Sequence, residues 1–258
     1  MTAWDLARAA GGTFLLRLED IDRARCRPEW EAAIHEDLRW LGLAWPEPVL
    51  RQSDRLPVYA AALDRLRALG VLYPCTCTRA DIAAALAAPQ EGAVPAVYPG
   101  TCRGRTDSPD KAAWRLDLAR ALRLTGPLEV DERGPEHPGR HAATALADPL
   151  GDVILGRRDI GTSYHLAVVV DDAAQGVDLV VRGVDLFEAA GLHRILQALL
   201  ALPAPAYHHH PLVRDADGRR LAKRDDARAL ARFRAEGATP DDIRRRLGLP
   251  PPPEKATF

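Results

Sequence analysis

Three of the four cysteines fall near one another: Cys75 and Cys77 form a C-x-C pair, and Cys102 follows in a stretch rich in glycine and proline. Three soft thiolates at such spacing are what a tetrahedral Zn²⁺ site needs. A cysteine count leaves the fourth ligand open among Tyr98, His137 and His141. Three buried, inert thiols are the alternative, but residues 89–105 (PQEGAVPAVYPGTCRGR) have little with which to build a core, which argues for metal. Cys26 stands alone among arginines, and the pattern does not match a secreted disulfide framework.

A second group of residues suits charged ligands. Glu19, Asp20 and Asp22 fit either a solvated loop or an anionic pocket for a substrate ammonium. Arg182, directly after an apolar LVV, fits a surface ion pair or a carboxylate clamp, because its planar fork meets a carboxylate with two hydrogen bonds. Tyr164 by itself reads as a core tyrosine with a satisfied hydroxyl. Lys223, beside Arg224 after a glycine turn, fits an exposed structural lysine or a mobile cation that steadies charge on a transferring phosphate. Of the 35 basic residues only Lys111, Lys223 and Lys255 are lysine, so each marks a place where a compact ammonium is kept. His208, His209 and His210 are consecutive; on a strand they alternate faces and do not converge on one ion.

These groups need an α/β frame to hold them. Residues 13–18 (TFLLRL) read as a buried strand delivering the acidic cluster at its C-terminal end, where ligands bind in open α/β sheets. Pro28 opens a helix with Trp30, Ile34, Leu38 and Leu41 at helical spacing, closed by Gly42. A second helix from about Asp54 carries Leu56, Tyr59, Leu63, Leu66 and Leu69 and ends at Gly70. Residues 71–78 (VLYPCTCT) precede a short helix over 79–88 and the loop 89–105. Trp114, Leu116 and Leu118 alternate as in a half-buried strand, and 151–156 (GDVILG) form another, so this region reads as a small β-containing insert. Residues 179–181 form an apolar strand delivering Arg182, a helix follows over 185–200, 207–214 are strand-like, and 215–218 (DADG) are a turn.

Composition bounds the rest. At 258 residues there is room for one large domain with a small insert. With 47% hydrophobic and 28% charged residues the chain is globular and not disordered. No apolar run approaches the roughly 18 to 20 residues that cross a bilayer, and the N-terminus lacks a signal-like pattern, so a cytoplasmic protein is expected. The net charge of −1 means that any nucleic-acid contact comes from local patches.

Four segments taken in order, 7–30 (ARAAGGTFLLRLEDIDRARCRPEW), the CTC…YPGTC stretch of 75–102, 163–186 (SYHLAVVVDDAAQGVDLVVRGVDL) and 209–227 (HHPLVRDADGRRLAKRDDA), resemble the glutamyl/glutaminyl class I tRNA synthetases, and among them the glutamyl-Q tRNA(Asp) synthetases. The resemblance implies an α/β fold. Its class I, Rossmann-like catalytic domain spans 1–73 and 150–226, with a zinc-binding insert over 74–149, a short helical segment over 227–258 and no anticodon-binding domain. It implies ATP-dependent activation of glutamate, with Mg²⁺, and transfer to queuosine in the anticodon of tRNA(Asp), by a monomer that needs no membrane. On this resemblance Glu19, Tyr164 and Arg182 bind glutamate, Lys223 contacts ATP as the catalytic lysine, and Cys75, Cys77, Tyr98 and Cys102 hold one structural Zn²⁺.

Two departures follow from the same comparison. Arg220-Leu221-Ala222-Lys223-Arg224 stands where such enzymes carry a KMSKS-type loop, with arginine for the first lysine and alanine for serine. The strand and HIGH-type histidine motif that cradle ATP are expected ahead of Met1, lost by a late start or by truncation, and exchange of ATP with pyrophosphate is expected to need them. Two other readings stand beside this one: a fragment of an ordinary glutamyl-tRNA synthetase, and a zinc-stabilised, tRNA-binding paralogue that does not activate glutamate.

Overall fold

The computed structural model describes residues 1–24, 26–78, 80–82, 97–105, 107, 109–110, 112–214 and 230–253. Most of the helix read at 79–88, the first eight residues of the loop after it, the turn at 215–218 and Lys223 lie outside the described residues. The chain divides into two compact units, Met1–Ser53 with His210–Phe258, and Asp54–His209.

The first unit begins with α1 (Thr2–Ala9), β1 (Arg17–Leu18), α2 (Pro28–Trp40) and β2 (Leu50–Arg51). β1 and β2 pair in parallel, Arg17 opposite Leu50 and Leu18 opposite Arg51, so α2 is the crossover that a parallel pair requires. The strand read at 13–18 is thus hydrogen-bonded only at its end. The apolar stripe of α2 is not a buried face, because Trp30 is 61% and Ile34 46% exposed. Period shows which residues share a face, not what covers it.

The second unit opens with α3 (Leu56–Ala68), which buries Tyr59, Ala62, Leu63 and Leu66. The Tyr59 hydroxyl donates to the fully buried Asp171 at 2.7 Å, and Arg55 Nε reaches the other carboxylate oxygen at 2.7 Å. β3 (Leu72–Cys75), β4 (Ala113–Leu116) and β7 (Ile154–Gly156) form an antiparallel sheet with β4 in the centre. Leu118, expected as the third residue of a strand, instead begins α4 (Leu118–Thr125), because the Asp117 carboxylate caps the helix by accepting from Arg120 N at 2.9 Å.

A second sheet holds β5 (Glu129–Glu132), β6 (Gly139–Ala142), β8 (Leu179–Gly183) and β9 (Ala206–His210) in the order β6-β5-β9-β8. β5 runs antiparallel to β6 and parallel to β9, so the sheet is mixed. Against it lie α5 (Ala143–Ala147) and α7 (Phe187–Leu199), while α6 (Tyr164–Gln175) packs on α7, α3 and β7; the apolar residues of the three helices, among them Leu146, Leu166, Val169, Leu192, Ile195 and Leu196, make the core.

Gly191 lets α7 lie against the backbone of α5. A Cβ there would overlap Ala143 O and stand 2.6 Å from Leu146 Cβ and 2.9 Å from Ala147 N. Backbone atoms have nowhere to go, so Gly191→Ala is expected to destabilise at the upper end of overpacking, about 3 kcal/mol. A lowered urea midpoint at unchanged slope is the check, and an unaltered midpoint would mean that the helices slide apart freely.

The first unit ends with α8 (Leu230–Ala235) and α9 (Pro240–Arg246). Thr239 and Asp242 form a capping box at the start of α9. Arg244 then grips both oxygens of Asp5, at 3.2 and 2.6 Å, while Arg8 Nε donates to Pro253 O at 2.6 Å. Arg234 reaches Glu36 at 3.0 Å and Asp37 at 3.5 Å. No helix among the described residues is long and apolar enough to cross a membrane.

Candidate functional site

The cysteines meet where β3 runs out. Cys75 ends the strand and is buried, and Cys77 and Cys102 are half-buried beside it, with all three sulfurs within 4.8 Å of one another. Cys77 and Cys102 Sγ stand 3.5 Å apart. A disulfide needs about 2.05 Å, whereas three thiolates around Zn²⁺ at about 2.3 Å lie about 3.8 Å from one another.

Tyr98 completes the group. Its hydroxyl is 3.5 Å from both Cys75 and Cys77 Sγ and accepts from Cys102 N at 2.9 Å. His137 and His141 are elsewhere, packed on Phe187 with ring centroids 4.3 and 5.2 Å away. Of the three candidates for a fourth ligand, only Tyr98 faces the sulfurs.

The surroundings brace this cluster. Arg158 donates to the carbonyls of Cys75 and Cys77 at 3.2 and 3.0 Å, closing the C-x-C turn, and the Arg115 guanidinium lies 3.7 Å over the Tyr98 ring. Burial pushes the Cys102 thiol up, but hydrogen bonds from the Tyr98 hydroxyl, the Thr76 backbone and the neighbouring cysteines bring it down to about 6. Burial raises the Cys77 thiol. One thiol poised to ionise beside two more is the donor set that a soft divalent ion selects.

The second cluster is built around Arg182 in β8. Its Nε donates to His209 Nε2 at 3.0 Å, Nη1 to His193 Nδ1 at 3.1 Å and Nη2 to Leu186 O at 3.1 Å. His209 Nδ1 meets Glu132 Oε2 at 2.5 Å, and His193 Nε2 meets His165 Nδ1 at 3.1 Å. His209 is held between Tyr207, stacked at 5.9 Å, and Phe187, edge-on at 5.4 Å.

Tyr164 is the first residue of α6, and its ring lies 5.5 Å from that of His165 and 6.0 Å from that of His193. Tyr164 and Arg182 therefore both approach the His193 imidazole, although they stand 18 positions apart in the chain. Among the described residues none of Arg182's hydrogen-bond partners is a carboxylate. The cation keeps its charge for something else.

Of the acidic trio, which lies in the first unit, Glu19 is exposed just past β1. Asp20 is engaged within the protein: it accepts from Ser53 N at 2.8 Å, Ser53 Oγ at 2.7 Å and Arg51 at 3.2 Å. Burial pushes its carboxyl up, but these bonds outweigh that and hold it below the usual range. Lys223 lies outside the described residues.

Sequence reasoning missed Glu132, His165 and His193, and met His209 only as part of a histidine run. Strand alternation is the one signal that singles it out: His209 is buried while His208 and His210 are half-buried.

The imidazoles make stability depend on pH. Burial, and after it the Arg182 charge, pushes His165 down to about 4, and the same causes hold the fully buried His193 well below its ordinary value. An unfolded histidine titrates near 6.5, so between about 6.5 and 4 the unfolded chain binds protons that the folded one refuses. Stability is therefore complete above pH 6.5 and falls as the pH drops towards 4, by about 1.4 kcal/mol per pH unit for each such imidazole. Urea unfolding at pH 7, 6 and 5 measures the slope; a flat profile would mean that these rings are protonated in the folded state.

Comparison with known proteins follows the same lines. The catalytic domain of the tRNA synthetases class I (E and Q) matches residues 1–255. A glutamyl-Q tRNA(Asp) synthetase of Rhodobacter capsulatus is 57% identical over 96% of this chain and 92% of its own length. One of Nocardia farcinica is 46% identical over 99% of this chain and 80% of its own length. In fold, the chain is similar to a glutamate tRNA ligase from Elizabethkingia meningosepticum, solved with its amino acid. The TM-score is 0.67 at 22% identity, over 87% of this chain and 48% of that one. A glutamate-tRNA synthetase from Elizabethkingia anophelis gives 0.68 at the same identity. The chain thus spans about half the length of those two enzymes.

Proposed function

Because the chain belongs to the class I tRNA synthetases of the E and Q type, we propose that it activates glutamate with ATP and transfers the glutamyl group to queuosine in the anticodon of tRNA(Asp). The observation that carries the choice of acceptor is the 57% identity to a glutamyl-Q tRNA(Asp) synthetase over nearly the full length of both chains. In the first half-reaction a glutamate carboxylate oxygen attacks the α-phosphorus of ATP and pyrophosphate leaves. In the second, a nucleophile on the tRNA attacks the acyl carbon and AMP leaves.

Arg182 offers its fork to a glutamate carboxylate, and Tyr164, whose ring also approaches His193, a hydroxyl. Glu19 takes the ammonium, and Lys223 the phosphate charge that grows in the transition state, shared with Mg²⁺. A charged, unneutralised guanidinium on a rigid strand supports the first of these roles, since preorganised donors act without reorganising. Cys75, Cys77, Cys102 and Tyr98 would hold a single Zn²⁺, which supplies a cross-link in place of a core. In this reading 74–149 is the zinc-binding insert in a catalytic domain of 1–73 and 150–226, 227–258 is a short helical end, and the enzyme works as a cytoplasmic monomer.

ATP–pyrophosphate exchange with the full-length gene product tests the first half-reaction. Exchange that depends on glutamate, and is not supported by aspartate or glutamine, is expected. A folded, tRNA-binding protein without exchange would point instead to a paralogue that has abandoned activation.

A further inference from the structure

We propose that Glu132 and His209 are positioning residues for Arg182, fixing through one imidazole tautomer how its guanidinium is presented to glutamate. The proposal rests on the reading of Arg182 as the glutamate-carboxylate residue. A guanidinium only donates hydrogen bonds. His209 Nε2, 3.0 Å from Arg182 Nε, and His193 Nδ1, 3.1 Å from Nη1, must therefore both be unprotonated acceptors. The His209 proton then sits on Nδ1, aimed at Glu132 Oε2 at 2.5 Å. The His193 proton sits on Nε2, aimed at His165 Nδ1 at 3.1 Å.

Glu132 is built to stay a carboxylate acceptor. It is 2% exposed, and besides the His209 ring it accepts from His209 N at 2.9 Å and Gly134 N at 2.6 Å. Gly134 has to be glycine for this, because a Cβ there would stand 2.6 Å from both Glu132 Oε1 and His209 N. Three donors converge on one buried acid, two of them from His209, whose ring meets Arg182, and one from the Gly134 backbone.

The consequence for Arg182 is geometric and electrostatic. Its described bonds use one N–H on each of its three nitrogens. Of the five N–H groups of a guanidinium, one on each terminal nitrogen is then left for a ligand, which is the pair that a carboxylate takes in parallel. A purely structural buried arginine is ordinarily neutralised by an acid in contact with it. Here the acid stands one imidazole away, so it orients the cation without cancelling it.

Glu132→Gln separates positioning from packing, because it keeps the shape of the side chain. With the amide nitrogen towards His209 Nδ1, that atom must become the acceptor, Nε2 takes the proton, and it confronts Arg182 Nε–H donor to donor. With the amide turned over, its NH₂ faces the two backbone N–H groups instead. The variant is expected to show His209 Nε2 protonated, or its Nδ1 resonance displaced, in ¹⁵N NMR of the imidazoles. Its glutamate KM in ATP–pyrophosphate exchange is expected to rise roughly ten- to a hundredfold, the worth of one charge-assisted hydrogen bond. The KM for ATP and kcat stay within about twofold.

Arg182→Ala is measured alongside. If it raises the glutamate KM while Glu132→Gln leaves both the spectrum and the KM unaltered, the positioning role is overturned and the reading of Arg182 stands. If Arg182→Ala itself leaves the KM unaltered, that reading falls and takes the proposal with it. Should Glu132→Gln fail to fold, His209→Gln and His209→Leu replace it. Glutamine sets an oxygen near the place of Nε2 and leucine does not, so the glutamine variant is expected to keep the lower glutamate KM, and equal values would overturn the proposal.

Discussion

Arg182→Ala is expected to weaken glutamate binding by roughly 2 to 5 kcal/mol, the usual cost of stranding the partner of a desolvated charge. The expectation follows from three bonds that all end on neutral acceptors, His209, His193 and Leu186 O. Removing the side chain leaves a substrate carboxylate without its cation, and it also leaves two imidazole nitrogens without the donor that sets their tautomers. Arg182→Lys keeps the charge but not the fork, and is expected to fall between the two, since an ammonium on a flexible stem does not bond a carboxylate in parallel. Steady-state glutamate KM for the three proteins is the check. An unaltered KM in the alanine variant would remove Arg182 from the substrate.

Cys102→Ala is expected to abolish metal binding outright. Protein purified without added metal should carry one Zn²⁺ per chain by elemental analysis, and the variant almost none, because two thiolates and Tyr98 no longer make a closed four-ligand structural site. The loss should be felt in the fold. The cluster of Tyr73, Cys75 and Tyr98, with Cys77, Ile82 and Cys102 packed on it, is small, and binding free energy at structural zinc sites of this kind is folding free energy, about 10 kcal/mol or more in isolated fingers. A strong chelator should accordingly expose the chain at Cys77 and Cys102 to proteolysis while α3, α6 and α7 stay resistant. A metal-free protein with both positions fully protected would show that the thiols are only packing.

The class I α/β fold and the family are legible in the sequence because they rest on features close together in the chain: an acid cluster after a strand, a C-x-C pair, an arginine ending an LVV strand. The thiolate cluster is legible for the same reason, and even its fourth member reduces to a short choice once His137 and His141 are seen to pack on Phe187. What surrounds Arg182 is not legible. Glu132 and His193 lie on other elements, and no local period announces that β5, β9 and α7 will bring them to one guanidinium. Nor does the stripe of α2 say that Trp30 and Ile34 will be exposed. The length of β1 is likewise a matter of pairing: an apolar run proposes a strand, but only residues with a partner opposite, here Leu50 and Arg51, become one.

The acceptor is the central claim, and transfer of labelled glutamate tests it most directly. The full-length gene product is incubated with ATP, labelled glutamate and tRNA(Asp) that carries queuosine, and in parallel with the same tRNA transcribed without the modification. Label is predicted only in the modified tRNA, in the anticodon-loop fragment after nuclease digestion, and undiminished when the 3′-terminal nucleotides are removed. Label that sits at the 3′ end, or that enters the unmodified transcript equally well, would contradict the account.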